Sequence, residues 1–226
     1  VCPHNVLVAE MNTIAKARLA AKRGLPFRNR LLGRSERIGQ LGSVLAPLSN
    51  FPIQNPILRW LGEKLIGISR HAAFAPFARP TFRAWFQKTG EPLAVGHRKV
   101  LYFHGCASNY YEPRVGKAAV QVLERNGCRV IIGEQNCCGL PMQSNGEFRA
   151  ARAYARANVR KLAPYVREGY VIVGTSTSCT LALKHEYETV LGLEGEEVRL
   201  VAENTYDFFE FLLLLESEGK LDTGFH

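Results

Sequence analysis

Four of the six cysteines in this 226-residue chain are spaced for joint chemistry. Cys106 follows the apolar run Lys99-Val100-Leu101-Tyr102-Phe103. Cys137 and Cys138 are adjacent and follow Cys128-Arg129-Val130-Ile131-Ile132. Cys179 follows Tyr170-Val171-Ile172-Val173. Adjacent cysteines rarely pair with each other without strain, so a structural disulfide accounts poorly for them. Thiolate ligation of a soft or redox-active metal accounts for them well. Zinc is the rival metal, since four thiolates suit it too. Thirty residues separate Cys106 from Cys137 and forty separate Cys138 from Cys179, with no CxxC knuckle. Ligands on such distant loops better match an iron–sulfur cluster, which is several atoms across. A third reading makes Cys137 and Cys138 a redox dithiol, which the lack of a CxxC at a helix start disfavours.

The remaining polar candidates rank lower. Cys128 opens its apolar run at the opposite edge and reads as a small buried hydrophobe. Cys2-Pro3 matches the end of a bacterial ferredoxin motif, where a proline follows the last ligand. His104 is a loop residue near Cys106. Ser176 stands three residues before Cys179, and it reads with Thr175, Thr177 and Ser178 as a source of helix-capping hydroxyls. Asn109, Tyr110 and Tyr111 read as packing groups. No GxGxxG follows the first run and no P-loop occurs, so a nucleotide site is unsupported.

The elements that must hold these thiols alternate. Runs 99–103, 128–132 and 170–173 read as strands, and helices are expected at about 113–126, 147–167, 179–190 and 198–218. Alternation of this kind predicts crossover units on a parallel sheet, buried on both faces. In such sheets functional groups gather beyond the carboxyl ends of the strands, so all four cysteines should meet at one edge. Residues 5–23, 57–68 and 80–88 read as amphipathic helices, and Gly and Pro limit 24–56 to short helices and loops. The expected fold class is therefore α/β: a helical, loop-rich arm over 1–98, then a small parallel-sheet, Rossmann-like module over 99–226.

Composition agrees with a globular chain, being 46% hydrophobic and 22% charged, and no apolar run reaches the roughly 18 residues of a membrane span. Charge is unevenly divided. Residues 1–98 hold 15 Lys or Arg against 4 acids, and residues 99–226 hold 14 against 16. The basic arm suits an anionic lipid surface or an acidic protein, and no nucleic-acid reader motif accompanies it. The start, Val1-Cys2-Pro3-His4, lacks an initiator Met and a signal peptide, and it reads as a cut from a longer chain in a reducing compartment.

Phe103-His104-Gly105-Cys106, Asn109-Tyr110, Pro113, Gly116-Lys117 and Cys137-Cys138-Gly139 resemble the CCG cysteine-rich module of heterodisulfide-reductase-like proteins. The exit Thr175 to Tyr187 is similar to that of the iron–sulfur subunits of anaerobic glycerol-3-phosphate dehydrogenases. So are Phe27 to Leu32, Ala46 to Asn50 and Thr81 to Phe86 in the arm. The resemblance implies a truncated ferredoxin-like domain ending at Cys2, a linker, and the first of two modules, with a further module beyond. It implies a cluster, [4Fe-4S] by type, on Cys106, Cys137, Cys138 and Cys179, with Cys2 serving the ferredoxin-like one. The implied role is electron transfer, as one subunit of an oxidoreductase, from an FAD-containing dehydrogenase toward a membrane quinone. The implied location is the inner face of the cell membrane. Iron–sulfur parts of flavin-linked 2-hydroxyacid (glycolate or lactate) oxidases share the linker and stand as the alternative. A zinc-stabilised interaction scaffold is the alternative of another class. Ser176 departs from the fuller motif, which has a cysteine there, and that departure argues against a non-cubane catalytic cluster.

Overall fold

The computed structural model describes residues 8–89, 96 and 98–224. Six helices precede the first strand: α1 (Val8–Arg23), α2 (Phe27–Gly33), α3 (Ser35–Val44), α4 (Asn50–Gln54), α5 (Pro56–Ile66) and α6 (Phe82–Thr89). Their ends follow local chemistry. Asn55 caps α5 by accepting from the amides of Ile57 and Leu58 at 3.0 and 3.1 Å, and Pro56 takes the first helical position, which needs no amide.

From β1 (Arg98–Tyr102) onward, strands and helices alternate. There follow α7 (Gly105–Tyr110), α8 (Pro113–Arg125), β2 (Cys128–Ile131), α9 (Leu140–Ser144), α10 (Phe148–Arg167) and β3 (Tyr170–Gly174). The chain then runs through α11 (Thr177–Leu181), a π turn (Ala182–Glu186) and the short α12 (Tyr187–Thr189). It closes with α13 (Glu196–Glu203), β4 (Thr205–Asp207) and α14 (Phe208–Ser217). The sheet is wholly parallel in the order β2-β1-β3-β4.

The expected α/β class holds, and the last quarter of the chain corrects the sequence reading. The sequence pattern predicts one helix over 198–218; α13, β4 and α14 stand there instead. Thr205 breaks the helix by entering the sheet beside Ile172, its hydroxyl donating to the Val201 carbonyl at 2.6 Å. Asp207 then starts α14 with a capping box: it accepts from the Phe209 amide, and Glu210 accepts from the Asp207 amide. The helix expected at 179–190 is likewise interrupted, by the π turn.

Core residues divide between the two faces of the sheet. Along β1 and the residue that follows it, Val100 and Tyr102 point one way while Leu101 and Phe103 point the other, and all four are buried. One face packs on α10, α13 and the cysteine loops. The other packs on α8, α14 and, from the arm, Phe82 and Phe86 of α6. Phe82 is fully buried against Tyr102, with their rings 5.4 Å apart, and it lies on Gly116, where even a β-carbon would come within 2.7 Å of its ring.

Candidate metal centre

Strand order places the chemistry. The chain leaves β1 for β2 on one side and returns to β3 on the other, so the sheet changes winding direction between β1 and β3. Crevices open beyond the carboxyl ends at such points. Cys106 enters on α7 after β1, Cys179 on α11 after β3, and Cys137-Cys138 on the loop after β2.

The four thiols form a row. Cys106 hydrogen-bonds Cys137, Cys137 meets Cys138, and Cys138 meets Cys179. None is in a disulfide. Cys137, Cys138 and Cys179 are buried and Cys106 is partly exposed. Burial would raise every thiol, and the row divides them. Hydrogen bonds from Cys106 and Cys138, with others from the Gly139 amide and Ser35, hold Cys137 well below the usual thiol range. Cys179 is lowered by Cys138, with help from the Ser176 hydroxyl. Cys106 and Cys138 are raised, first because their protons are shared with those neighbours and then by burial.

A shell of neutral and charged groups holds this row. The Tyr187 hydroxyl donates to the Cys138 carbonyl at 2.9 Å. Asn158 Nδ2 donates to the Cys137 carbonyl at 2.9 Å, and Asn158 Oδ1 accepts from the Asn136 amide at 2.8 Å. Gly139 turns the chain at φ +89, a conformation other residues resist, and a β-carbon there would press on the Ala151 carbonyl at 3.2 Å. From the arm, α3 closes over the thiols. Ser35 Oγ is 3.9 Å from Cys137 Sγ, and Glu36 bonds the Cys137 backbone, its carboxyl raised by burial. Arg34 fixes that helix end with a bidentate pair to Glu147 at 2.8 and 2.6 Å.

Other candidates fall outside the row. His104 is buried with Nδ1 against the Gly105 carbonyl at 2.9 Å and Nε2 unpaired; burial lowers it to about 4, so it is neutral. Thr175 bonds Tyr102 and Ser108 in the core, at 2.7 and 3.2 Å. Ser176 occupies the cap position of α11 without capping it, its hydroxyl serving Cys179 instead. Asn109 accepts from the Arg83 amide at 2.9 Å, and the Tyr111 ring lies 5.4 Å from Phe77, so both tie arm to module. Cys128 is fully buried at the far end of β2, its thiol pushed up to about 11 by burial. Cys2 lies outside the described residues.

The donor set suits a thiolate-held centre: four soft donors stand along one edge, two of them, Cys137 and Cys179, with their thiols lowered. Sequence reasoning misses Asn158, Ser35 and Glu36, which stand on distant helices with no local spacing to mark them. It also assigns no role to Tyr187, although that residue closes the Cys179 segment and carries a signal in that sense.

Residues 100–184 match the family described as "CCG: Cysteine-rich domain". The chain is 30% identical over 199 residues to the C subunit of anaerobic glycerol-3-phosphate dehydrogenase of Escherichia coli (strain K12), a match covering 87% of this chain and 50% of that protein. It is 36% identical over 119 residues to lactate utilization protein A of Halalkalibacterium halodurans, covering 51% of this chain and 47% of that protein. The Bacillus cereus (strain B4264) protein of the same name is 34% identical over 119 residues, 51% of this chain and 48% of its own length. The chain thus spans about half the length of these relatives. No solved structure matches it.

Proposed function

From a module at residues 100–184 that belongs to the CCG cysteine-rich family, we propose an iron–sulfur electron-transfer subunit of an oxidoreductase. The observation that carries this reading is the row of four free thiols drawn from three loops onto one sheet edge. Cys106, Cys137, Cys138 and Cys179 would hold the cluster, of [4Fe-4S] type, and Cys2 would serve a ferredoxin-like one. When bound, such a cluster accepts and releases one electron at a time. The chain's own contribution is to supply thiolates, bury them, and aim the Gly139 amide and the Ser35 and Ser176 hydroxyls at their sulfurs. Those donors favour the more negative, reduced state.

Likeness to the C subunit of anaerobic glycerol-3-phosphate dehydrogenase supports a dehydrogenase catalytic subunit as partner. In that arrangement an FAD-containing chain oxidises glycerol 3-phosphate and this one passes electrons toward a membrane quinone. Likeness to lactate utilization protein A, over half of this chain, supports the second reading, service to a 2-hydroxyacid oxidase. Among the described residues no helix is long and apolar enough to cross a membrane. The arm offers a peripheral mode: Leu48, Phe51, Ile57, Trp60, Leu61 and Leu65 are exposed in a stretch that also carries Lys64 and Arg70, and Arg28 reaches the Gly67 carbonyl at 3.0 Å. An apolar and basic surface of this kind suits the anionic inner leaflet.

Iron and acid-labile sulfide, with EPR, on protein purified without oxygen test the reading. Loss of one cluster's signal in Cys137→Ser/Cys138→Ser, with any other retained, is the expected result. Equal iron and identical spectra would move zinc or a dithiol to the front.

A further inference from the structure

The shell around the thiols contains a lever that the ligands do not explain. The Cys138–Gly139 peptide is gripped at both ends. Its carbonyl accepts from the Tyr187 hydroxyl at 2.9 Å, and its amide donates to the Cys137 sulfur. A peptide is planar, so fixing the oxygen end aims the N–H end. A hydrogen bond to the carbonyl also polarises the unit and strengthens its N–H as a donor. We infer that Tyr187 is a positioning residue that sets the peptide hydrogen bond to the Cys137 sulfur, and thereby the reduction potential of the centre bound there.

The surroundings are built for this grip. Tyr187 is 1% exposed, so its hydroxyl must find a partner inside the protein. Two are in reach, and they are ordered. Asn158 Nδ2 donates to Tyr187 Oη at 3.2 Å, which leaves the tyrosine proton for the Cys138 carbonyl. Asn158 is itself fully buried and its Oδ1 is occupied by the Asn136 amide, so it cannot turn to accept that proton. The backbone before Tyr187 departs from α-helix to deliver it. The π turn at Ala182–Glu186 adds one residue to the helix, which rotates the downstream residues by ~100°. Tyr187 begins the segment after that turn and points inward beneath the thiol row.

The sign comes from charge. Reduction makes the cluster sulfurs more negative, so a donor aimed at one of them stabilises the reduced state and raises the potential. The inference rests on the iron–sulfur reading, and wild-type iron content separates the two. The experiment compares the full chain with Tyr187→Phe, both purified without oxygen, by iron and sulfide content and by an EPR-monitored redox titration. The signal that disappears in Cys138→Ser identifies the centre. The expected result is unchanged iron and sulfide with a midpoint shifted to more negative potential. An unchanged midpoint at full iron content overturns the inference and leaves the proposed function standing. Wild-type protein without iron overturns both. Should Tyr187→Phe lose iron on purification, the titration is read after the centre is rebuilt from iron and sulfide. A variant that cannot be rebuilt assigns Tyr187 to assembly and overturns the tuning role.

Discussion

Arm and module solve opposite problems with similar material. Of 21 large apolar side chains exposed among the described residues, 17 lie before Arg98 and only 4, Val115, Leu181, Phe209 and Leu213, lie after it. The module buries its apolar residues on two faces of a sheet, while α2 to α5 of the arm enclose an open cavity of about 370 Å³ lined by Leu31, Ile38, Ile53, Leu58 and Phe74. A folded monomer gains nothing from so much exposed apolar surface, and the proposed lipid contact would cover it in this region. The lesson is a division of labour. The module, with Phe82 and Phe86 of the arm set into its core, is packed to hold thiols still, whereas most of the arm's apolar side chains stay at the surface.

The sharpest way to break this division is at the ligands. Cys138→Ser should abolish the module's iron entirely, read as iron and sulfide per chain, whereas Cys128→Ser, at the other end of β2, should keep it. Retained iron in the first variant would dissolve the special status of the row. Next in size is Phe82→Ala. Although it lies in the arm, Phe82 fills the core of the sheet, and its loss should cost about 3–5 kcal/mol in denaturant unfolding. A cost below about 1 kcal/mol would mean that the arm and module are energetically separate. Smaller is the effect of Trp60→Ser with Leu61→Ser, both exposed on α5. These changes should weaken binding to anionic vesicles about tenfold, or ~1.4 kcal/mol, while unfolding stays within about 0.5 kcal/mol of wild type. Vesicle binding that ignores both the substitutions and added salt would count against the lipid surface. Smallest is Arg34→Met. The pair with Glu147 is about a quarter exposed, so its loss should cost under about 1 kcal/mol, measured by thermal unfolding.

How much of this is legible in the sequence depends on range. Strands β1, β2 and β3 are legible because a parallel strand is apolar on both faces, and the cysteines are legible because they follow those strands directly. The break at Thr205 has no Gly or Pro to mark it, although Asp207 and Glu210 carry the capping-box spacing in plain view. Asn158 looks like any polar residue of a long helix, and only its burial beside Tyr187 shows its work. Ser35 and Glu36 lie about a hundred positions from the sulfur they approach, and nothing local records such a meeting.

Phe82 carries one more consequence, and it concerns inheritance. The CCG match covers residues 100–184, yet the side chain that plugs one face of the sheet comes from residue 82, and the tyrosine under the thiols comes from residue 187. A gene fusion or duplication that copied only the shared stretch would carry off the ligands and leave a hole in the core and a loose loop at the site. The structural unit is therefore wider than the CCG match, starting before α6 and ending beyond the π turn. Any lineage that recombines this module must bring those margins along or refill them.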